Sequence, residues 1–338
     1  MNIEKIWENY SDADNFSGVF SVSNDSGIIF EKCSGFRNRS ENLPNNSDTA
    51  FGIASGTKLF TGLAVCKLIE QKKLSLDDML CDVLPYDLGQ IDTRVTILHL
   101  LTHTSGIGDY IDEDAEDCEE QLQALNNKYP VYLWERLEYY LPMTTPLPPK
   151  FEPGTRFGYS NSGYVLLGLV IEAVSGTQYQ QFVTDEIIKP CNLTHTGFYR
   201  MDALPANTAH GYVQDEKTEE WRTNIFGVPV IGGSDGGLFT CAGDLAKLWP
   251  AIFSNKILSA EMTSTFLKSH VARGDDKGYG LGVYICNNNS VYFAVGGDSG
   301  VVFFTAYIPQ HKLVASALVN VDGVDPFPLF EAVVESVL

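Results

Sequence analysis

A chain of 338 residues, 44% of them hydrophobic, has ample material for a core, as one large domain or as two lobes. Its formal charge of −20 repels phosphate except at a local basic patch. No such patch is evident, so nucleic acid is not an expected partner. No window reaches the roughly 18 apolar residues of a membrane span, and Met1 to Trp7 lack the pattern of a secretory signal, so the expected location is the cytoplasm.

In chain order, residues 3–10 read as a short amphipathic helix. The runs 16–23 and 27–33 flank an Asn-Asp-Ser-Gly turn, a hairpin signal. Residues 50–54 read as a strand or a buried approach. After them Leu59, Phe60, Leu63, Ala64, Val65, Leu68 and Ile69 are apolar on most faces, which predicts a helix buried in the core. The chain then reads as helical and loop-rich to about residue 225, with the Pro- and acid-rich loops 109–120 and 142–154 as candidate cleft edges. Strand-like runs return at 279–286, 290–295, 301–308 and 312–320, and a helix closes the chain at 327–338. The pattern predicts a mixed α/β (α+β) fold: one antiparallel sheet flanked by helices and built from both termini (1–65 and 226–338), with a mainly helical lobe (66–225) inserted. Seven scattered cysteines form no Cys-x-x-Cys and read as reduced, buried thiols.

Chemistry first shows at Ser55-Gly56-Thr57-Lys58. A serine hydroxyl is a poor nucleophile until a base takes its proton, and a lysine three residues on along a helix shares its face. Free backbone N–H groups at the helix start would stabilise an oxyanion formed beside the serine. The plain reading is an N-cap serine and a solvated lysine, but Lys58 falls in a helix with few polar positions. Tyr159-Ser160-Asn161, on a turn entering the apolar helix 164–174, supplies a second piece. Its phenol can relay a proton if lysine charge lowers its pKa, and its amide can bind a substrate carbonyl and the lysine. A packed tyrosine beside an N-capping asparagine is the structural alternative. Val295-Gly296-Gly297-Asp298-Ser299-Gly300 fits a strand whose glycines let backbone approach a substrate, or equally a glycine turn between strands.

Together these motifs resemble the serine β-lactamase, penicillin-binding protein and esterase family, particularly its class C-like branch. Leu98 to Gly106, Glu152 to Asn161 and Gly232 to Thr240 resemble the family's usual context, in the expected order from about residue 15 onward. The resemblance implies an α/β sandwich with an all-α lobe and an active site in the cleft between them. It implies Ser55 as nucleophile of an acyl-enzyme mechanism on an ester or amide, with Lys58 and Tyr159 sharing its proton as a coupled pair. Asn161, Gly296, Gly297 and Asp298 would bind substrate, and the N–H groups of Ser55 and Asp298 would form the oxyanion hole. The family usually carries Lys-Thr-Gly or His-x-Gly where this chain has Val295-Gly296-Gly297, so the cation that binds a substrate carboxylate is missing. No cofactor or metal is implied, and oligomeric state is left open.

Two other readings compete. A catalytically weak or inactive member would serve as a ligand- or penicillin-binding protein. Gly232-Gly233-Ser234-Asp235-Gly236 also matches the nucleophile elbow of α/β-hydrolases, with His270 or His311 to complete a triad, but it leaves Ser55, Lys58, Tyr159 and Asn161 unexplained. His99 and His103, four apart on an expected helix, lack the glutamate of a zinc protease and read as structural. The acidic run 112–120 lacks the mid-loop glycine of a calcium loop and reads as a solvated rim.

Overall fold

The computed structural model describes residues 2–338 apart from 114, 116 and 216. The elements used below are helices α1 (Ile3–Glu8), α2 (Thr57–Glu70), α3 (Asn161–Ser175), α4 (Ala242–Phe253) and α5 (Phe327–Glu335). The strands are β1 (Gly18–Asn24), β2 (Gly27–Ser34), β3 (Val271–Ala272), β4 (Gly278–Tyr279), β5 (Tyr284–Cys286), β6 (Val291–Asp298), β7 (Val301–Ile308) and β8 (Leu313–Val319). Among the described residues these eight strands form one antiparallel sheet, in the spatial order β2-β1-β8-β7-β6-β5-β4-β3. The pairing Gly18↔Val319 through Ser23↔Val314 joins the two ends of the chain in mid-sheet.

Alternation along β7 explains how helices cover both faces. Phe304, Ala306 and Ile308 point into an apolar cluster with Ile3, Leu329 and Phe330 from α1 and α5, and the Phe304 and Phe330 rings lie 4.4 Å apart. Phe303 and Tyr307 point to the other face, where Trp249 of α4 stacks on Tyr307 at 6.1 Å and donates its indole N–H to Thr305. The main cluster continues from this face into α2 and α3, which are apolar on nearly every side and therefore buried.

The expected strand 279–286 is interrupted, and α2 is the reason. A Cβ on Gly62 would fall 1.9 Å from the Leu281 carbonyl oxygen, and one on Gly282 would fall 2.7 Å from that of Lys58. Residues 280–283 therefore leave the ladder, turn through a Gly280 N–H to Val283 O bond of 2.8 Å, and let the helix approach. Two further differences from the sequence reading lie in the middle of the chain. Helix α2 runs through residue 65, where a boundary was expected, and the strands Tyr212–Gln214 and Trp221–Thr223 pair within the stretch expected to be helical. Among the described residues no helix is long and apolar enough to cross a membrane. Cys33, Cys66, Cys81, Cys191, Cys241 and Cys286 are free thiols.

Candidate active site

Ser55 sits in a 3-10 turn, Ala54–Gly56, that feeds directly into α2. The turn is tight against β7: a Cβ on Gly56 would lie 2.4 Å from the Phe303 ring. Ala54, immediately before the serine, holds a left-handed φ of 42°, a conformation that non-glycine residues adopt at a cost. One turn after Ser55, at the second residue of the helix, Lys58 Nζ lies 2.9 Å from Ser55 Oγ, 2.7 Å from Asn161 Oδ1 and 2.7 Å from the Asp235 carbonyl oxygen. Tyr159 donates its hydroxyl to Ser55 Oγ at 2.8 Å. Lys58 and Tyr159, from two distant stretches of chain, thus meet at the Ser55 oxygen, and Asn161 joins them through Lys58.

The second stretch is held by capping bonds. Asp109 accepts the N–H groups of Asn161 and Ser162 at 2.8 and 2.9 Å, and Ser160 caps α3 by accepting the Gly163 N–H at 3.0 Å. The Asn161 amide turns its oxygen to Lys58 and donates Nδ2 to Glu113 at 2.6 Å, so its orientation is set from both ends. His103 lies against the Tyr159 ring at a centroid distance of 4.5 Å. Its Nδ1 accepts the Ser160 N–H at 3.1 Å, which puts its proton on Nε2, toward Tyr279 Oη at 3.2 Å. Burial and the nearby Lys58 and Arg273 charges hold its pKa well below the ordinary value, so it is neutral.

Burial dominates the electrostatics. Lys58 is 3% exposed, and desolvation lowers its pKa although Asp235, Glu113, Asp109 and Asp298 pull the other way. A neutral amine has two N–H groups and one lone pair. Asn161 Oδ1 and the Asp235 carbonyl can only accept, so they take the two N–H groups and leave the lone pair facing the Ser55 hydroxyl. Tyr159 departs from the sequence reading. Its role as a relay was conditional on lysine charge lowering its pKa, whereas burial, with Tyr284, Glu113 and Tyr164 nearby, raises it well above the ordinary value. The phenol stays protonated and is a donor at rest.

Of the third-strand residues, Gly296 makes the close approach: a Cβ there would lie 2.9 Å from the Ser55 nitrogen and 2.1 Å from the Ile53 carbonyl oxygen. A Cβ on Gly297 would meet nothing within 4 Å. Asp298 ends β6 and accepts the Ser299 N–H at 2.8 Å. Its residue surface is exposed while its carboxyl is crowded by protein and by Asp235, Glu113 and Asp322, so burial and like charge push its pKa up to about 7 and solvent tempers the shift. The cleft in front of Ser55, with about 1180 Å³ of empty space, is lined by Tyr159, Tyr284, Val295, Gly296, Gly297 and Arg273 among others.

A family model described as Beta-lactamase matches residues 3–336. The chain belongs to the β-lactamase family. Penicillin-binding protein 4* of Bacillus subtilis (strain 168) is 28% identical over 300 residues, which cover 85% of this chain and 63% of that protein. The chain thus spans less than two thirds of the length of that curated relative. A crystal structure of a penicillin binding protein from Bacillus halodurans superposes with a TM-score of 0.88 at 38% identity, covering 100% of this chain and 99% of the other. A D-stereospecific amidohydrolase from Streptomyces sp. shares the fold, with a TM-score of 0.82 at 22% identity and 98% coverage of both chains.

In this β-lactamase-family chain the elbow reading loses its nucleophile. Ser234 is 0% exposed and its Oγ has no hydrogen-bond partner, so no histidine stands beside it. The Ser234 carbonyl instead accepts from Thr61, and the next carbonyl, of Asp235, accepts from Lys58. His270 bonds the Thr265 carbonyl. His99 and His103 do not share a helix, which ends at Leu101: His99 closes a capping box with Thr96, and His103 follows with a left-handed φ of 56°. Among the described residues no three His, Cys, Asp or Glu side chains gather to hold a metal ion. The acidic run 112–120 lies partly outside the described residues; within it Glu113 reaches Asn161 and the helix Cys118–Lys128 begins.

Sequence reasoning missed Asp109, Glu113, Asp235 and Arg273. The carboxylates carry no motif spacing, and Asp235 contributes through its backbone. Arg273 lies over the Phe157 and Tyr284 rings at 4.4 and 5.0 Å and brings a cation to the cleft from the turn that follows β3.

Proposed function

We propose that this protein is a serine hydrolase that acts on an ester or amide through an acyl-enzyme. The observation that carries the reading is the Lys58 amine, buried, with two acceptors opposite and the Ser55 hydroxyl as its third neighbour. Ser55 Oγ attacks the carbonyl and its proton passes to Lys58 Nζ. The negative charge forming on the carbonyl oxygen is met by the N–H groups of Ser55 and Asp298. Tyr159, protonated and in contact with Ser55 Oγ, gives its proton to the departing oxygen or nitrogen and regains one from Lys58. Water then attacks the acyl-enzyme by the same route in reverse, returning the serine and releasing the acid. Asn161 holds the lysine and the substrate carbonyl group. The cleft is lined by Ser55, Val295 and Gly296 from the sheet side and by Phe157 and Tyr159 from the middle of the chain.

The penicillin-binding protein and amidohydrolase relatives support substrates with an amide or a strained lactam, and the small acyl groups of simple esters satisfy the same chemistry. Hydrolysis of p-nitrophenyl acetate by the purified protein, abolished in Ser55→Ala with the fold intact, is the expected result. Activity that persists in Ser55→Ala overturns the reading.

A further inference from the structure

A second cavity, with about 990 Å³ of empty space, abuts the cleft. The two share a wall: Ser55 and Gly297 line the cleft, while their neighbours Ala54 and Asp298 line the second cavity. No step of the reaction above uses this space. Much of its wall is apolar or aromatic, including Trp134, Tyr140, Met201, Val228 and Phe239. Met201, Val228 and Phe239 are themselves packed together as a small cluster.

Its polar groups are one-sided. Asp235 and Asp298 line it, and among the described residues no lysine, arginine or histidine does. Asp235 is 6% exposed and takes the Tyr110 hydroxyl on its Oδ2. Asn224, also lining the cavity, is 5% exposed. Its Nδ2 donates to the Ser299 carbonyl at 2.8 Å, which fixes the amide, yet its Oδ1 is buried with no protein partner. A buried acceptor left unpaired calls for a donor. Two carboxylates and a free amide oxygen around an aromatic-walled space suit a group that is apolar in bulk and carries N–H⁺.

We propose that this cavity is the acyl-side subsite, and that it takes a bulky apolar acyl group bearing an ammonium. The proposal rests on the serine hydrolase reading. Tyr159 protonates the leaving atom, so the leaving group occupies its side of Ser55, and the acyl substituent extends the other way, past Asp298. The ammonium meets Asp298, Asp235 and the Asn224 oxygen, and the apolar part fills the space beyond. About 130 Å³ of the cavity is open to the centre of a water-sized sphere, on the scale of the roughly 150 Å³ cavity that holds a benzene ring.

The test compares four methyl esters with one leaving group: acetate, 3-phenylpropanoate, phenylalanine (an ammonium at the α carbon) and the half-ester of benzylmalonate (a carboxylate there). Each kcat/KM is divided by the ester's rate with hydroxide, which removes intrinsic reactivity. The ammonium ester is expected to exceed the neutral phenyl ester at least tenfold, with acetate below that and the carboxylate slowest. Asp298→Asn cuts the ammonium preference at least fivefold, and Val228→Trp cuts the ratio of phenyl ester to acetate at least tenfold. Normalised rates that are equal across the series, or highest for the carboxylate, overturn the proposal. If even p-nitrophenyl acetate is not turned over, the hydrolase reading has failed, and calorimetry on the intact protein decides the cavity separately. Phenethylamine should then bind at least tenfold tighter than phenylacetate and weaken at least fivefold in Asp298→Asn; equal or reversed affinities reject the site.

Discussion

A side-chain carbon on Gly296 would stand 2.9 Å from the backbone nitrogen of Ser55. Strand β6 and the turn before α2 therefore touch through bare backbone, which brings the third-strand amides to the serine. Gly296→Ala must push the two apart, because the atoms it meets are main chain and cannot rotate away. We expect kcat/KM on a small ester to fall by about 100-fold or more, comparable to loss of an oxyanion donor, with a lowered Tm. Steady-state kinetics and a melting curve check it, and wild-type activity in the alanine variant contradicts the geometry.

The pH profile follows from the buried lysine. Only neutral Lys58 can take the serine proton, and its pKa is lowered from the ordinary 10.5 by desolvation. The kcat/KM for an uncharged ester should rise with pH and level off below 10.5, since the base form accumulates as the proton leaves. Lys58→Arg, which keeps its charge throughout, should lose activity by about 1000-fold at all pH values, in the range of removing a catalytic base. A profile that rises only above pH 10.5, or a competent arginine variant, argues against lysine as the base.

Ser234 gives a prediction in the opposite direction. Its hydroxyl is buried, unpartnered and pressed against α3, where a Cβ on Gly168 would lie 2.2 Å from it. Ser234→Ala removes an unsatisfied polar group, so stability should stay within about 1 kcal/mol of wild type or rise, and ester hydrolysis should persist. Thermal melts and kinetics measured side by side test this. Loss of activity without loss of fold would revive the elbow reading.

Arg273 is a cation lining the cleft, stacked on Phe157 and Tyr284. Arg273→Ala should lower acylation by a carboxylate-bearing β-lactam at least fivefold more than it lowers hydrolysis of p-nitrophenyl acetate. Acylation rates from stopped-flow or mass measurements supply the comparison, and equal losses on both substrates remove the arginine from carboxylate binding.

Ser55 and Lys58 were legible as a pair because i and i+3 share a face at a helix start, and Tyr159 and Asn161 because their tripeptide stands where an apolar helix begins. The terminal strands and the apolar central helix were legible from periodicity. What was not legible depends on contacts across the chain. Asp109 reaches Asn161 from 52 positions away, and the supporting oxygen of Asp235 is a main-chain atom that no side-chain pattern announces. The break at 280–283 is marked locally by Gly280 and Gly282, but what it accommodates, the approach of α2 at Gly62, lies far away in the chain. The protonated state of Tyr159 follows from burial, which spacing does not report.

Intact-mass analysis after incubation with a fluorophosphonate or a β-lactam, followed by peptide mapping, puts the covalent step to the most direct test. The account predicts one adduct per chain, located on Ser55 and absent from Ser55→Ala. An adduct on any other residue, or ester turnover that proceeds while Ser55 stays unmodified, contradicts it.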